Sequence, residues 1–320
     1  MDATKIEPIA AFDIEGGRAT PACDEEFRLN LQSGYRWIHL DLNEPMWKDW
    51  AKDNMPDIAA HALWQAETRP RCERMENGLI LNLRAVNLNP ESSPEDMVSL
   101  RIWVTAHAIV TARMRKVWAL DAIRQTALAG SAPPTVGRFL AELTHGLVNR
   151  IETVSLDLEE QTDAVEENTL QGGKLSSGEL SSLRLAVIKM RRFINPQREA
   201  IAALASLENW IIKPDGLALL RETSNKTRRI VEELDATRDR LAALQDHTDT
   251  ERAHALSRNG YILSIVASIF LPLGFLTGLF GVNIAGMPGT DAPLAFWLLT
   301  GGSILAGIAL FLIFKFSKWL

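Results

Sequence analysis

One asparagine, a ladder of hydroxyls and two histidines set the chemistry open to this chain, and all of them fall in its last quarter. Asn283 stands in Gly281-Val282-Asn283-Ile284-Ala285-Gly286-Met287-Pro288-Gly289, a link within and between two charge-free stretches, Asn259 to Thr290 and Ala292 to Phe314. Its carboxamide offers a neutral oxygen. Presented by several chains around one axis, such oxygens suit a divalent ion that keeps its water shell, because hard cations dehydrate reluctantly. Gly281 permits the turn and close backbone approach, and backbone carbonyls beside Val282 can join such a filter. The same asparagine also fits an ordinary helix C-cap.

The hydroxyls lie just before it. Asp246, Thr250, Ala253, Ser257, Tyr261, Ser264, Ser268 and Leu271 recur every three or four residues and so share one helix face. Ile262, Leu263, Ile265, Val266, Ile269 and Phe270 occupy the others. Lipid does not reward a hydroxyl stripe, so this face serves either close helix packing or a water path. As a path, it is a pore lining with Asp246 at its cytoplasmic part. One chain with two spans encloses no pore, so that reading implies a ring of copies. His247, Glu251 and His254, at i, i+4 and i+7, adjoin the stripe. Imidazole and carboxylate suit zinc, and imidazole titrates near neutrality; a solvated helix surface explains them equally well. The metal-ligand candidates are thus Asn283, Asp246, His247, Glu251 and His254.

Long elements must carry these residues. Each charge-free stretch exceeds the roughly 20 apolar residues that cross a bilayer. Arg252 and Arg258 precede the first and Lys315 and Lys318 follow the second, while the link carries only Asp291. The positive-inside rule then puts both flanks, and both termini, in the cytoplasm of a bacterial-type inner membrane. Met1 to Glu7 holds no signal-type apolar run. Upstream, no Gly or Pro interrupts Leu217 to Asn259. A helix begun at Pro214 therefore has nothing to stop it before Gly281, a length of about 100 Å. Such a helix needs neighbours. Leu220, Ile230, Val231, Leu234, Leu241 and Leu244 supply the apolar seam, and Pro134 to about Thr169 and Ser177 past a kink at Pro196 supply two further helices.

The N-terminal part mixes signals. Trp37–Leu42, Leu79–Leu88 and Val98–Val104 alternate as half-buried strands do, Ala108–Arg113 reads as a fourth strand, and Met46 to Gln65 has helical spacing. The expectation is an α+β membrane protein: residues 1–130 a cytoplasmic α/β domain, 131–258 a helical stalk, 259–281 a pore-lining span, 282–291 an outward loop, 292–314 a second span and 315–320 a basic tail.

Other functions are poorly served. There is no nucleophile elbow, phosphate-binding glycine loop, HExxH or nucleotide motif, so an enzyme is not expected and transport would draw on ion gradients. With 40 acidic against 34 basic residues, formal net charge −6, nucleic acid is no partner. Cys23 and Cys72 lack metal or redox spacing and read as free thiols. A membrane-anchored coiled-coil sensor, the reading from another class, would need an outer domain, and the roughly ten linking residues are too few to fold.

Phe280-Gly281-Val282-Asn283 after a stalk helix, then Met287-Pro288 and a second span, resembles the CorA-type divalent metal transporters, whose motif here is Gly-Met-Asn followed by Met-Pro. Val282 in place of methionine and Gly289 in place of an acid resemble the zinc-transporting ZntB branch. So do Thr68-Arg69-Pro70-Arg71, Gly78 to Arg84, Val86 to Pro90 and Pro94 to Ser99. The resemblance spans nearly the whole chain. It implies a funnel-shaped homopentamer without a cofactor, its first spans lining the pore and Gly281, Val282 and Asn283 forming the filter. It further implies zinc uptake coupled to protons. A gated magnesium or cobalt channel of the same family is the alternative.

Overall fold

The computed structural model describes residues 6–23, 27–44, 46–65, 68–171, 173, 177–207, 211–282, 289 and 292–316. They fall into two compact units, Met1–Leu244 and Gln245–Leu320.

The first unit is built on a mixed sheet of β1 (Ala10–Glu15), β2 (Arg18–Pro21), β3 (Tyr35–Asp41), β4 (Arg71–Met75), β5 (Gly78–Ala85), β6 (Val98–Val104) and β7 (Ala108–Arg113), in the order β2-β1-β3-β7-β6-β5-β4. Only β3 and β7 pair in parallel, with Trp37 opposite Ile109. The expected strands are β3, β5, β6 and β7, and β6 and β7 join through the expected turn, where Thr105 N–H donates to the Ala108 carbonyl at 2.8 Å. β1, β2, β4 and the helix α3 (Trp118–Leu128) lie outside the runs that the pattern marks.

Alternation in β3 predicts a half-buried strand, but both of its faces are covered. Tyr35 and Trp37 enter one core, Ile38 and Leu40 the other. Its polar positions Arg36 and His39 are buried as well, and each is paired, as burial requires. Arg36 donates from Nε and Nη2 to the Asp13 carboxylate at 2.6 and 2.8 Å. Arg113 Nε donates to His39 Nε2 at 3.1 Å, which leaves His39 Nδ1 to donate to Thr111 Oγ1 at 3.0 Å. Burial, with the positive charge of Arg113 beside it, holds the His39 imidazole down at about 3.

Helices α1 (Trp47–Asn54) and α2 (Asp57–Trp64) cover one face of the sheet. The span Met46 to Gln65 is therefore two helices rather than one. Met55 is extended, at φ −133° and ψ 156°, because the proline that follows disfavours the helical conformation. The other face packs on α3, α4 (Val136–Leu170), α5 (Ser177–Ala205) and the first part of α6 (Pro214–Gly281). α5 continues through Pro196 and α6 through Pro272.

α4, α5 and α6 pack through a heptad seam. On α6 the buried positions Leu220, Thr223, Thr227, Ile230, Leu234, Thr237, Leu241 and Leu244 alternate steps of three and four. α4 keeps the same spacing from Thr144 to Val165, and α5 from Leu180 to Leu204. Threonine fits this core because each hydroxyl bonds its own helix: Thr223 to the Leu219 carbonyl and Thr227 to the Thr223 carbonyl, both at 2.7 Å. Ion pairs fix the direction. Lys226 meets Glu152 at 2.7 Å and Arg240 meets Asp163 at 2.5 Å, so α4 and α6 run parallel, while Arg191 pairs with Asp235 across the α5–α6 contact. At the start of this bundle the backbones nearly touch. A Cβ on Gly137 would lie 2.8 Å from Ile212 Cα, and one on Gly216 would lie 2.9 Å from the Gly137 carbonyl oxygen.

The second unit consists of the rest of α6, Gln245 to Gly281, and α7 (Ala295–Phe316). Both helices are long and apolar enough to cross a membrane. Their apolar side chains are almost wholly exposed, which sets them apart from the core helices of a soluble domain.

Candidate functional site

The candidate stripe lies on the second-unit part of α6, an uninterrupted helix, so the three-to-four spacing does place Asp246, Thr250, Ser257, Tyr261, Ser264, Ser268 and Leu271 along one side. All are exposed, Tyr261 at 41% and Leu271 at 75%. The face that is covered is a different one. Ile265 is 7% exposed, and Ile269 and Leu273 are the half-buried residues one and two turns further on. Leu273 Cδ1 sits 3.5 Å from where a Cβ on Gly307 would be. Leu299, Thr300, Ser303, Ala306, Gly307 and Leu310 are the matching half-buried positions of α7. At 100° per residue, the centre of the stripe lies roughly 120° around the helix from this contact. The second span therefore leaves the hydroxyl face uncovered.

Three of the hydroxyls have a shared orientation. Ser264 Oγ donates to the Gly260 carbonyl at 3.0 Å, Ser268 Oγ to the Ser264 carbonyl at 2.8 Å, and Thr250 Oγ1 to the Asp246 carbonyl at 2.8 Å. Each proton is spent on the helix's own backbone, so the side turned away from the helix carries oxygen lone pairs. At these three positions the outward side accepts the hydrogens of a hydrated cation.

α6 ends at Gly281, and Val282 beyond it is exposed. Asn283 lies outside the described residues. His247, Glu251 and His254 are all exposed on α6, and among the described residues no three His, Cys, Asp or Glu side chains converge as a metal site. Within one chain, then, these three remain a helix surface. Cys23 and Cys72 are both free, and burial pushes the Cys72 thiol up to about 12.

Comparison with known proteins accounts for nearly the whole chain. The family model described as "CorA-like Mg2+ transporter protein" matches residues 32–315. The divalent cation transporter CmaX of Pseudomonas aeruginosa is 34% identical over 292 residues, covering 89% of this chain and 87% of that protein. The zinc transport protein ZntB of Pectobacterium carotovorum is 32% identical over 317 residues, covering 98% and 96%. The solved structure of full-length CmaX superposes with a TM-score of 0.79 at 31% identity, covering 96% of this chain and 98% of that one. An α/β sheet unit, a long helix and two apolar C-terminal helices are therefore the expected architecture, and the chain belongs to the family of CorA-like Mg2+ transporters.

Proposed function

We propose that this chain, as a ring of identical copies, carries divalent cations across a bilayer, and that its physiological cargo is zinc taken up with a proton gradient. The observation that carries the reading is the uncovered hydroxyl face: α7 packs on Ile265, Ile269 and Leu273 and leaves Ser257, Tyr261, Ser264 and Ser268 exposed. Hydroxyls facing lipid gain nothing, so neighbouring copies are the natural cover. The lone-pair face then lines a shared axis, Asp246 draws cations to its cytoplasmic part, and the Asn283 carboxamides form the outer filter with Gly281 and Val282. A pentamer, with α7 outermost, both termini cytoplasmic and the inner membrane as its site, belongs to the same reading. His247, Glu251 and His254 become relevant when copies bring several sets together, as a transit site for zinc or as proton carriers.

A filter of neutral oxygens selects by matching the geometry of a hydrated ion and does not strip it. Similarity to proteins named for zinc favours zinc, while the family's description by Mg2+ keeps the magnesium channel as the second reading. The test is flux. Purified protein in liposomes, with a trapped zinc dye, should admit Zn2+ faster when an inward proton gradient is imposed, and Asn283→Ala should reduce the rate at least tenfold, as expected from losing about 1.4 kcal/mol of filter interaction. Mg2+ flux indifferent to protons would favour the channel. Absence of any divalent flux from folded oligomer would sink transport.

A further inference from the structure

The first unit holds a cavity of about 590 Å³ between the ends of β5 and β6, the loop that joins them, and helix α5. Five of its lining side chains are basic, Arg84, Arg101, Arg115, Lys189 and Arg192, in a chain whose formal net charge is −6. Lys189 is engaged by Asp96 at 2.8 Å, which leaves Glu95 as the other lining acid. Among the described residues the lining holds five basic against two acidic side chains.

Arg101 is the least ordinary of the five. It is 4% exposed on β6 and donates through Nη1 to the Leu63 carbonyl in the last turn of α2. Its Nε has no hydrogen-bond partner among the described residues. Burial lowers its affinity for the proton, and no carboxylate among the described residues offsets that effect. Arg84 is its diagonal neighbour on the same face of the sheet. Asn82 pairs with Arg101 and Arg84 with Ser99, which sets the two arginine Cβ atoms about 7–8 Å apart. Arg84 donates to the carbonyls of Thr68 and Met97 at 2.8 and 3.0 Å. Arg84 from β5 and Arg192 from α5 both lie over the Phe193 ring, at 4.2 and 5.5 Å. On the same wall Thr68 and Ser99 share a hydroxyl–hydroxyl bond of 2.6 Å, so one of the two protons is still available to donate.

We propose that this cavity binds a small oxyanion carrying at least two negative charges, of the phosphate or polycarboxylate class. Arg84, Arg101 and Arg192 clamp it and the Thr68–Ser99 pair donates to it. Guanidinium forks match the paired oxygens of such groups. The volume is that of a small-molecule site. The site does not depend on the transport reading, since it is formed within the first unit.

The test uses the full-length protein in detergent, stripped of metal by a chelator and kept at constant ionic strength. Sodium pyrophosphate, orthophosphate and citrate are titrated by calorimetry, with the thermal unfolding midpoint followed in parallel and sodium chloride as the reference. Saturable heat and a raised midpoint are expected with pyrophosphate or citrate and not with chloride. The stronger of the two identifies the phosphate or carboxylate source. Arg101→Gln and Arg192→Gln should each weaken binding about tenfold or more. Arg192 is exposed on α5, so its variant keeps the test alive if Arg101→Gln fails to fold. No saturable response to any of the three anions, or affinity unchanged in Arg192→Gln, overturns the proposal.

Discussion

His39 shows what one residue can hide in a sequence. Scattered histidines read equally as surface or core, and the strand around it reads as half-buried. The structure instead closes His39 between Arg113 and Thr111, with Trp37 Nε1 donating to the same Thr111 hydroxyl at 2.9 Å. The consequence for pH is specific. The unfolded chain takes up a proton near pH 6.5, whereas the folded imidazole resists until about pH 3. Its contribution is therefore complete above pH 6.5 and drains as pH falls through that window, by at most about 1.4 kcal/mol per pH unit. Chemical denaturation at pH 7.5 and pH 5 should show this loss, and His39→Gln should flatten it. Cysteine reactivity separates in the same manner. Cys23 is exposed, whereas burial disfavours the Cys72 thiolate, so maleimide at pH 7 should label Cys23 at least ten times faster. The half-buried Arg84 and the buried Arg101 were not legible at all, because a polar position in an alternating strand reads as solvent-facing until a second layer of helices is found to cover it.

Among the elements, the long helices were the most legible. Proline and glycine punctuate them: α4 and α6 begin and end, and α5 begins, within a few residues of those marks. The edge strands β2 and β4 were not, because Arg18–Pro21 and Arg71–Met75 are short, polar and paired on one side only. The seam on α6 was seen in part. Leu220, Leu234 and Leu241 mark it, but Thr223, Thr227 and Thr237 interrupt the apolar pattern while occupying the same buried line. Since each of these hydroxyls makes one bond within its own helix, Thr227→Val should change stability by less than about 1.5 kcal/mol, whereas Leu234→Ala should cost about 2–5 kcal/mol in chemical unfolding. On the exposed half of the helix the order reverses, with function the sensitive quantity. Ser268→Leu should lower zinc flux several-fold with the oligomer intact, and Phe270→Leu, on another face, should leave flux within about twofold.

At the scale of the whole molecule, a single chain presents two apolar helices and a hydroxyl face with nothing over it among the described residues. Copies supply the cover in our reading, which makes a geometric prediction. In a cysteine-free background, Ser268→Cys should cross-link between copies in membranes under mild oxidation, whereas Phe270→Cys should not; the opposite pattern would reverse the assignment of faces. The link with Asn283 was the most telling stretch of the sequence, and it lies outside the described residues, so the flux of Asn283→Ala is its direct test. Between the two units a last feature bears on assembly. The heptad seam stops at Leu244, and from Gln245 to Asn259 no residue of the helix is buried. Fifteen helical residues with none buried are marginal in water. Their amide hydrogens should therefore trade with deuterium quickly in dispersed chains and slowly once neighbouring copies enclose them, so this stretch doubles as a built-in gauge of how many chains have come together.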